Sequence, residues 1–288
     1  MDIHPSHGLR RTGSGRPLVL VHGLGASHDC WRPLLPMLRP HRELVVMDLP
    51  GFGYAQPGRG AATIEAFTDH VEAVLADAGL LGADLVGSSM GGEIVLELLR
   101  RGHGGDVVAL APSGYWGTLG RWWFLLVAWS VTALATVLRP VVPAVVGARW
   151  GRELLLRPLS PNPSALPRVT VDASHTFART TSFLPGLRHL GSRREPVTVP
   201  AHRTRGRRVT IGWGRRDGLC LPGQADRALA AVPGARLHWF DDSGHLPPWD
   251  EPEATAALLL AATGGSAGAT GGSTAAPSSH PTVGDAVA

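Results

Sequence analysis

Short runs of consecutive apolar residues, each bounded by glycine, proline or a charged residue, recur through the first part of this chain. Pro17 to Val21, Leu44 to Met47 and Val107 to Ala111 are of this kind, and Asp84 to Val86, opening on its charged residue, is a shorter one. Their length and β-branched content predict strands covered on both faces, which need no alternation with polar residues. A different period separates the second run from the third. Ile64, Phe67, Val71, Val74 and Leu75 recur at three- and four-residue steps, predicting a helix over Ile64 to Ala78. Another helix is expected after Gly87-Ser88-Ser89-Met90-Gly91-Gly92, running through Leu99. The pattern lapses at Ser113. It resumes with a strand over Val209 to Gly212, a helix over Pro222 to Ala231, a strand over Arg236 to Phe240 and a closing helix over Glu253 to Ala262. Strand and helix in alternation predict an α/β fold, with a mostly parallel central sheet flanked by helices.

The lapse divides the chain into segments. Residues 1–113 and 207–263 form the expected core, residues 114–206 an inserted helical cap, and residues 264–288 a tail whose Gly, Ala, Ser and Thr composition predicts disorder. Within the cap, no charge falls between Arg121 and Arg139. That stretch is near the lower limit for a membrane span. A span would interrupt a soluble sheet, so the expectation is a cap helix buried between the sheet and other cap elements, with weak contact at a membrane surface as the alternative.

Composition narrows the functions. The net charge of +4 comes from arginine alone, because the sequence has no lysine. Without a sustained basic helix, or basic residues interleaved with aromatics, no nucleic-acid partner is expected. Two cysteines, Cys30 and Cys220, are too few for a disulfide framework or a zinc site, and no cofactor or metal is implied. Met1 to Pro5 lack the basic-then-apolar layout of a secretory signal, so the expected location is cytoplasmic. Arg188, Arg193, Arg194, Arg203, Arg205, Arg207 and Arg208 gather near the end of the cap against Glu195. They read as a solvated linker, or alternatively as an attractor of anionic substrates or lipid headgroups.

The chemistry centres on Gly87-Ser88-Ser89-Met90-Gly91, a Gly-x-Ser-x-Gly turn between a strand and a helix. A nucleophile on so tight a turn needs small neighbours two residues away on either side, and the following helix directs its first amides toward developing negative charge. Ser88, the rival serine, lacks glycines at both offsets. A serine hydroxyl needs a base. Among thirteen histidines, His245 follows a strand at the same end of the sheet. His22 suits a loop shaping an oxyanion hole, while His175, His189 and His202 lie in the cap. Asp217 follows the Val209 strand and precedes His245, giving the order Ser, Asp, His. No acid follows the Val107 strand before Glu153, and Asp241 and Asp242 sit close enough to His245 to shape its loop instead.

These segments, together with His22-Gly23-Leu24-Gly25, Asp48-Leu49-Pro50-Gly51-Phe52-Gly53 and Gly244-His245-Leu246-Pro247, resemble the α/β-hydrolase fold superfamily in order and spacing. The resemblance implies a catalytic triad of Ser89, Asp217 and His245, an oxyanion hole from the backbone amides of Leu24 and Met90, and a structural role for Asp48. It implies a serine hydrolase of the esterase or lipase kind acting on a small-molecule acyl substrate, which the Trp- and Leu-rich cap suggests is apolar. Alternatives are a carbon–carbon bond hydrolase on the same triad, or a non-catalytic ligand-binding protein of this fold. Neither substrate contacts nor oligomeric state follow from the motifs. Such proteins usually place a β-hairpin before the first parallel strand. Only sixteen residues precede Pro17, so the sheet is expected to be short at that edge or the start truncated. In the family's strand order the strands before the two cysteines lie three positions apart, too far for a disulfide, so both thiols are expected free.

Overall fold

The computed structural model describes residues 2–4, 9–58, 60–137, 141–166, 180–193 and 195–264. Its centre is an eight-stranded sheet: β1 Asp2–His4, β2 Leu9–Thr12, β3 Pro17–Val21, β4 Glu43–Met47, β5 Asp84–Ser88, β6 Val107–Leu110, β7 Val209–Gly214 and β8 Arg236–Phe240. The spatial order is β1-β2-β4-β3-β5-β6-β7-β8. The pairs from β4 to β8 are parallel, whereas β1 with β2 and β2 with β4 are antiparallel.

The apolar runs supply two cores by simple alternation. Val19, Val21, Val45, Met47 and Leu85 enter one cluster. Their neighbours Leu18, Leu20, Leu44, Val46 and Val86 enter the other. Successive side chains of a strand point to opposite faces, so a run apolar at every position is what a sheet covered on both sides requires. Helices α2 Ile64–Asp77 and α3 Met90–Arg101 pack on the first face. Trp31, Leu38 of the short α1 Leu35–Leu38 and Leu259 near the chain's end pack on the second.

The sheet is not short at its first edge. The hairpin β1–β2 is present, with Arg11 opposite Val45 and paired with Glu43 at 2.9 Å. Only Leu9 of β2 is buried, so this strand, second from the edge, has no apolar run to announce it.

Between β6 and β7 the chain forms α4 Thr118–Val137, α5 Val142–Gly147, α6 Arg149–Leu156, α7 Phe183–Ser192 and α8 Ala201–Thr204. Leu134 of α4 packs with Val145 and Val146 of α5 and Leu155 of α6. The expected burial of α4 is corrected: Phe124 is buried, yet Trp122 is 62% exposed and Leu126 61%. The other cap helices meet its inner side and its C-terminal end, leaving an outer apolar face in solvent. No helix among the described residues is long and apolar enough to cross a membrane.

The arginine-rich stretch is not a free linker. Arg193 pairs with buried Glu93, Arg208 with Asp106 at 3.3 Å, and Arg207 donates to the Gly104 and Arg203 carbonyls. After β7 come α9 Ala225–Ala231, and after β8 α10 Pro247–Asp250 and α11 Pro252–Ala262. Residues 265–288 of the expected tail, His175 and Arg194 lie outside the described residues. Both cysteines are free.

Candidate active site

Because β3, β5, β7 and β8 run parallel, the loops that leave their C-terminal ends emerge on one edge of the sheet. Those loops carry His22 to Gly25, Ser89, Asp217 and His245.

Ser89 sits between β5 and α3 with φ 54° and ψ −117°, a left-handed conformation that side chains rarely adopt. Packing holds it there. Its N–H donates to the Leu110 carbonyl at 2.8 Å, and its own carbonyl accepts from Glu93 and Ser113. A Cβ on Gly87 would stand 2.0 Å from the Gly91 carbonyl oxygen, and one on Gly91 would stand 2.2 Å from that of Val21. Both flanking glycines are therefore required by close backbone approach.

His245 and Asp217 are buried together. The imidazole Nδ1–H donates to Oδ2 of Asp217 at 2.8 Å. The other oxygen of Asp217 accepts the backbone N–H groups of Leu219 at 2.9 Å and Cys220 at 2.8 Å. Burial alone would lower the His245 pKa, but the Asp217 carboxylate, with the Cys220 thiol adding to it, holds it well above its ordinary 6.5. Cys220 in turn is pushed up by burial, against the opposing pull of His245. Ser89 and His245 line one cavity of about 300 Å³. Among the described contacts their side chains are not hydrogen-bonded to each other, and such bonds commonly close only when substrate engages.

The cavity wall is almost wholly apolar. Phe124, Val127 and Val131 of α4, Leu155 of α6 and Leu190 of α7 form its cap side. Leu24 lines it from the core, and Met90, first residue of α3, follows Ser89 directly in the chain. His22 has a bracing role: its Nδ1–H donates to the Gly23 carbonyl at 2.8 Å, and its Nε2 accepts from the Leu49 amide at 3.0 Å. Burial keeps its pKa low, which suits this neutral tautomer. Asp48 accepts from the His28 ring and amide and from the Tyr54 amide, tying the second loop to the first. His189 accepts the Ile64 amide at the start of α2, and His202 is exposed. Asp241 and Asp242 pair with Arg215 and Arg216 at the surface.

Sequence reasoning missed the brace on the histidine loop. The Gly244 amide donates to Asp250 at 2.8 Å, Ser160 of the cap donates to the same carboxylate, and the His245 amide donates to the Leu159 carbonyl at 2.7 Å. Burial raises the Asp250 pKa against these bonds. The one available signal was the carboxylate pair Asp250-Glu251 directly after Pro247-Pro248-Trp249.

Residues 18–258 match the alpha/beta hydrolase family. The chain belongs to that family. Among its relatives, the dihydrolipoyllysine-residue acetyltransferase component of the acetoin cleaving system of Cupriavidus necator is 25% identical over 266 residues, covering 89% of this chain and 66% of that protein. The 2-hydroxy-6-oxo-2,4-heptadienoate hydrolase of Pseudomonas putida is 37% identical over 97 residues, 32% of this chain and 35% of that one. Among solved structures, a thermophilic esterase from Thermogutta terrifontis superposes with a TM-score of 0.67 at 21% identity, over 88% of this chain and 91% of that one, which shows the shared alpha/beta hydrolase fold. The described residues of this family member hold no cluster of His, Cys, Asp and Glu suited to a metal ion.

Proposed function

We propose that this alpha/beta hydrolase cleaves an ester-like bond of an apolar small-molecule substrate, with Ser89 as nucleophile, His245 as base and Asp217 as the acid that orients it. The observation carrying this reading is the buried His245–Asp217 bond at 2.8 Å beside an apolar cavity that both Ser89 and His245 line.

In the reaction, the Ser89 hydroxyl attacks the substrate carbonyl carbon while His245 Nε2 takes its proton. Negative charge moves to the carbonyl oxygen, where the Leu24 and Met90 amides and the N-terminus of α3 stabilise it. The imidazolium, stabilised by Asp217, then gives its proton to the leaving group as that bond breaks, leaving Ser89 acylated. Water, deprotonated by His245, attacks the acyl carbon, and the proton returns to Ser89 as the acid departs. The strained Ser89 backbone and the Asp217 anchors fix the reacting groups before substrate arrives, so little reorganisation opposes the chemistry.

A second reading, hydrolysis of a carbon–carbon bond on the same residues, draws support from the likeness to the heptadienoate hydrolase of Pseudomonas putida. The test compares wild type with Ser89→Ala on p-nitrophenyl esters from acetyl to palmitoyl and on a vinylogous 1,5-diketone. Ester turnover lost in Ser89→Ala is the expected result. Diketone turnover without ester turnover moves the assignment to carbon–carbon cleavage. Ester turnover that survives in Ser89→Ala removes the nucleophile assignment.

A further inference from the structure

Helix α4 is apolar on both sides, yet only one side meets the protein. Phe124, Val127, Ala128, Val131 and Thr132 line the cavity. On the other side Leu119, Trp122, Trp123, Leu126, Trp129 and Val137 are exposed. A helix apolar all round is at home in a core or in lipid. The helices packed on its C-terminal end add to the surface: Trp150 of α6 is 64% exposed and Leu154 54%.

Positive charge predominates around this surface, although Glu153, next to Leu154 on α6, pairs with Arg157 at 3.5 Å. From Gly114 to Arg193 the sequence has two acids, Glu153 and Asp172. On α4 the sole charged residue is Arg121, whose guanidinium lies 5.8 Å from the Trp122 ring centre. Arg149 is exposed at the start of α6, and the Arg157 side chain, at its end, is 66% exposed. Tryptophans beside arginines on an apolar helical face match the chemistry of a membrane interface, where indoles sit at headgroup depth and cations meet anionic lipid.

We propose that the outer face of α4, with Trp150 and Leu154, docks this protein on an anionic phospholipid surface. Docking places the bilayer on one side of a single helix whose other side walls the cavity at Ser89. A lipid-soluble substrate then passes from bilayer to cavity around one helix, without crossing bulk water. The same helix is also tied to the site: the Trp123 indole N–H donates to the Gly218 carbonyl at 2.8 Å, in the loop between Asp217 and the Leu219 and Cys220 amides that hold it. The delivery step rests on the hydrolase reading above; the docking does not.

The experiment therefore reads binding separately from turnover. Ser89→Ala protein is floated with vesicles of equal parts phosphatidylglycerol and phosphatidylcholine, with phosphatidylcholine alone, and at rising salt. Flotation on the anionic vesicles, weakened by salt, is expected. The further changes Trp122→Ser, Leu126→Ser and Trp150→Ser, none of which touches the cavity, should reduce it by about tenfold or more. In the wild-type background the same triple change should spare turnover of a short soluble ester and lower that of a vesicle-borne one. Brominated lipids should quench tryptophan fluorescence of the unaltered protein, a readout that holds even if the triple variant fails to fold. Absence of flotation and quenching, equal binding to neutral and anionic vesicles, or undiminished binding by a folded triple variant would each overturn the proposal. So would a wild-type dimer that the triple change makes monomeric, since the face would then meet a second copy.

Discussion

Glu93 offers a sharp test of how the site's underside is held. It lies wholly buried on α3, one turn after Ser89, accepting the Ser113 hydroxyl at 2.7 Å and pairing with Arg193 at the end of α7. Burial dominates: despite the Arg193 charge and the Ser113 bond, and with Glu65 and Glu97 adding repulsion, the carboxyl is raised from 4.5 to about 7. Between those values the folded protein keeps a proton that the unfolded chain has released, so stability falls as pH rises through this window. At about 1.4 kcal/mol per pH unit, the gap corresponds to a loss of about 3 kcal/mol, complete above pH 7. Glu93→Gln keeps an oxygen for Ser113 and removes the titration. Arg193, whose side chain is 19% exposed and lies 3.9 Å from Glu65, retains an outlet, so the variant carries a fixed offset instead of a stranded charge. Urea unfolding of both proteins from about pH 5 to pH 8 isolates the effect, because groups that titrate alike in both cancel in the difference. Relative to wild type, the variant should gain about 2 to 3 kcal/mol across this range. A flat difference, or a variant that loses ground as pH rises, would mean that the ion pair with Arg193 outweighs burial and that Glu93 is charged throughout.

Three further outcomes follow from the same geometry. Because His245 must be neutral to act as base and its pKa is held well above 6.5, kcat/KM should rise with pH to a plateau whose limb is centred above 6.5; a limb below that value would remove His245 as the titrating base. Asp217→Asn should leave the fold intact and lower kcat by about three to four orders of magnitude, measured on the best ester found; near-normal turnover would show that another group orients His245. Gly91→Ala forces a Cβ toward the Val21 carbonyl and should cost about 2 to 3 kcal/mol in urea unfolding, despite alanine's better helix propensity; an unchanged midpoint would show the elbow to be loosely packed.

What could be read in the chain depended on how each part is stabilised. Strands β3 to β7 are buried on both faces or nearly so, and burial leaves largely apolar runs that stand out in sequence. The turn at Ser89 was legible for a different reason: backbone crowding at Gly87 and Gly91 admits no side chain, so the steric requirement is written directly as residue type. Strand β2 left no such trace, since one buried leucine among Arg10, Arg11 and Thr12 is indistinguishable from a loop. Long-range bonds were equally silent. Nothing local marks Asp250 as the partner of Ser160, ninety residues earlier, or Arg193 as the partner of Glu93 a hundred residues earlier, because those contacts exist only once the sheet has brought distant loops together.

The cap inverts the usual relation between composition and burial. An uncharged, Trp- and Leu-rich helix is expected to disappear into a core, because exposing large apolar side chains forfeits about 1.5 to 3 kcal/mol each relative to burying them. In α4 the inner side chains line the cavity, with Phe124 and Thr132 buried and Val127, Ala128 and Val131 half-buried, while the outer ones remain in solvent. Sequence periodicity cannot separate these two fates, since both sides of the helix are apolar. The separation comes from tertiary packing: α5 and α6 occupy only its C-terminal end, through Leu134, and α7 meets it beside the cavity at Leu190. A face that water destabilises this much, kept beside the cavity that Ser89 and His245 line, is accounted for if its outer side is not always in water. The same substitutions that make α4's outer face polar should therefore stabilise or leave unchanged the free protein while weakening its attachment to lipid, a divergence that a purely structural role for Trp122 and Leu126 would not produce.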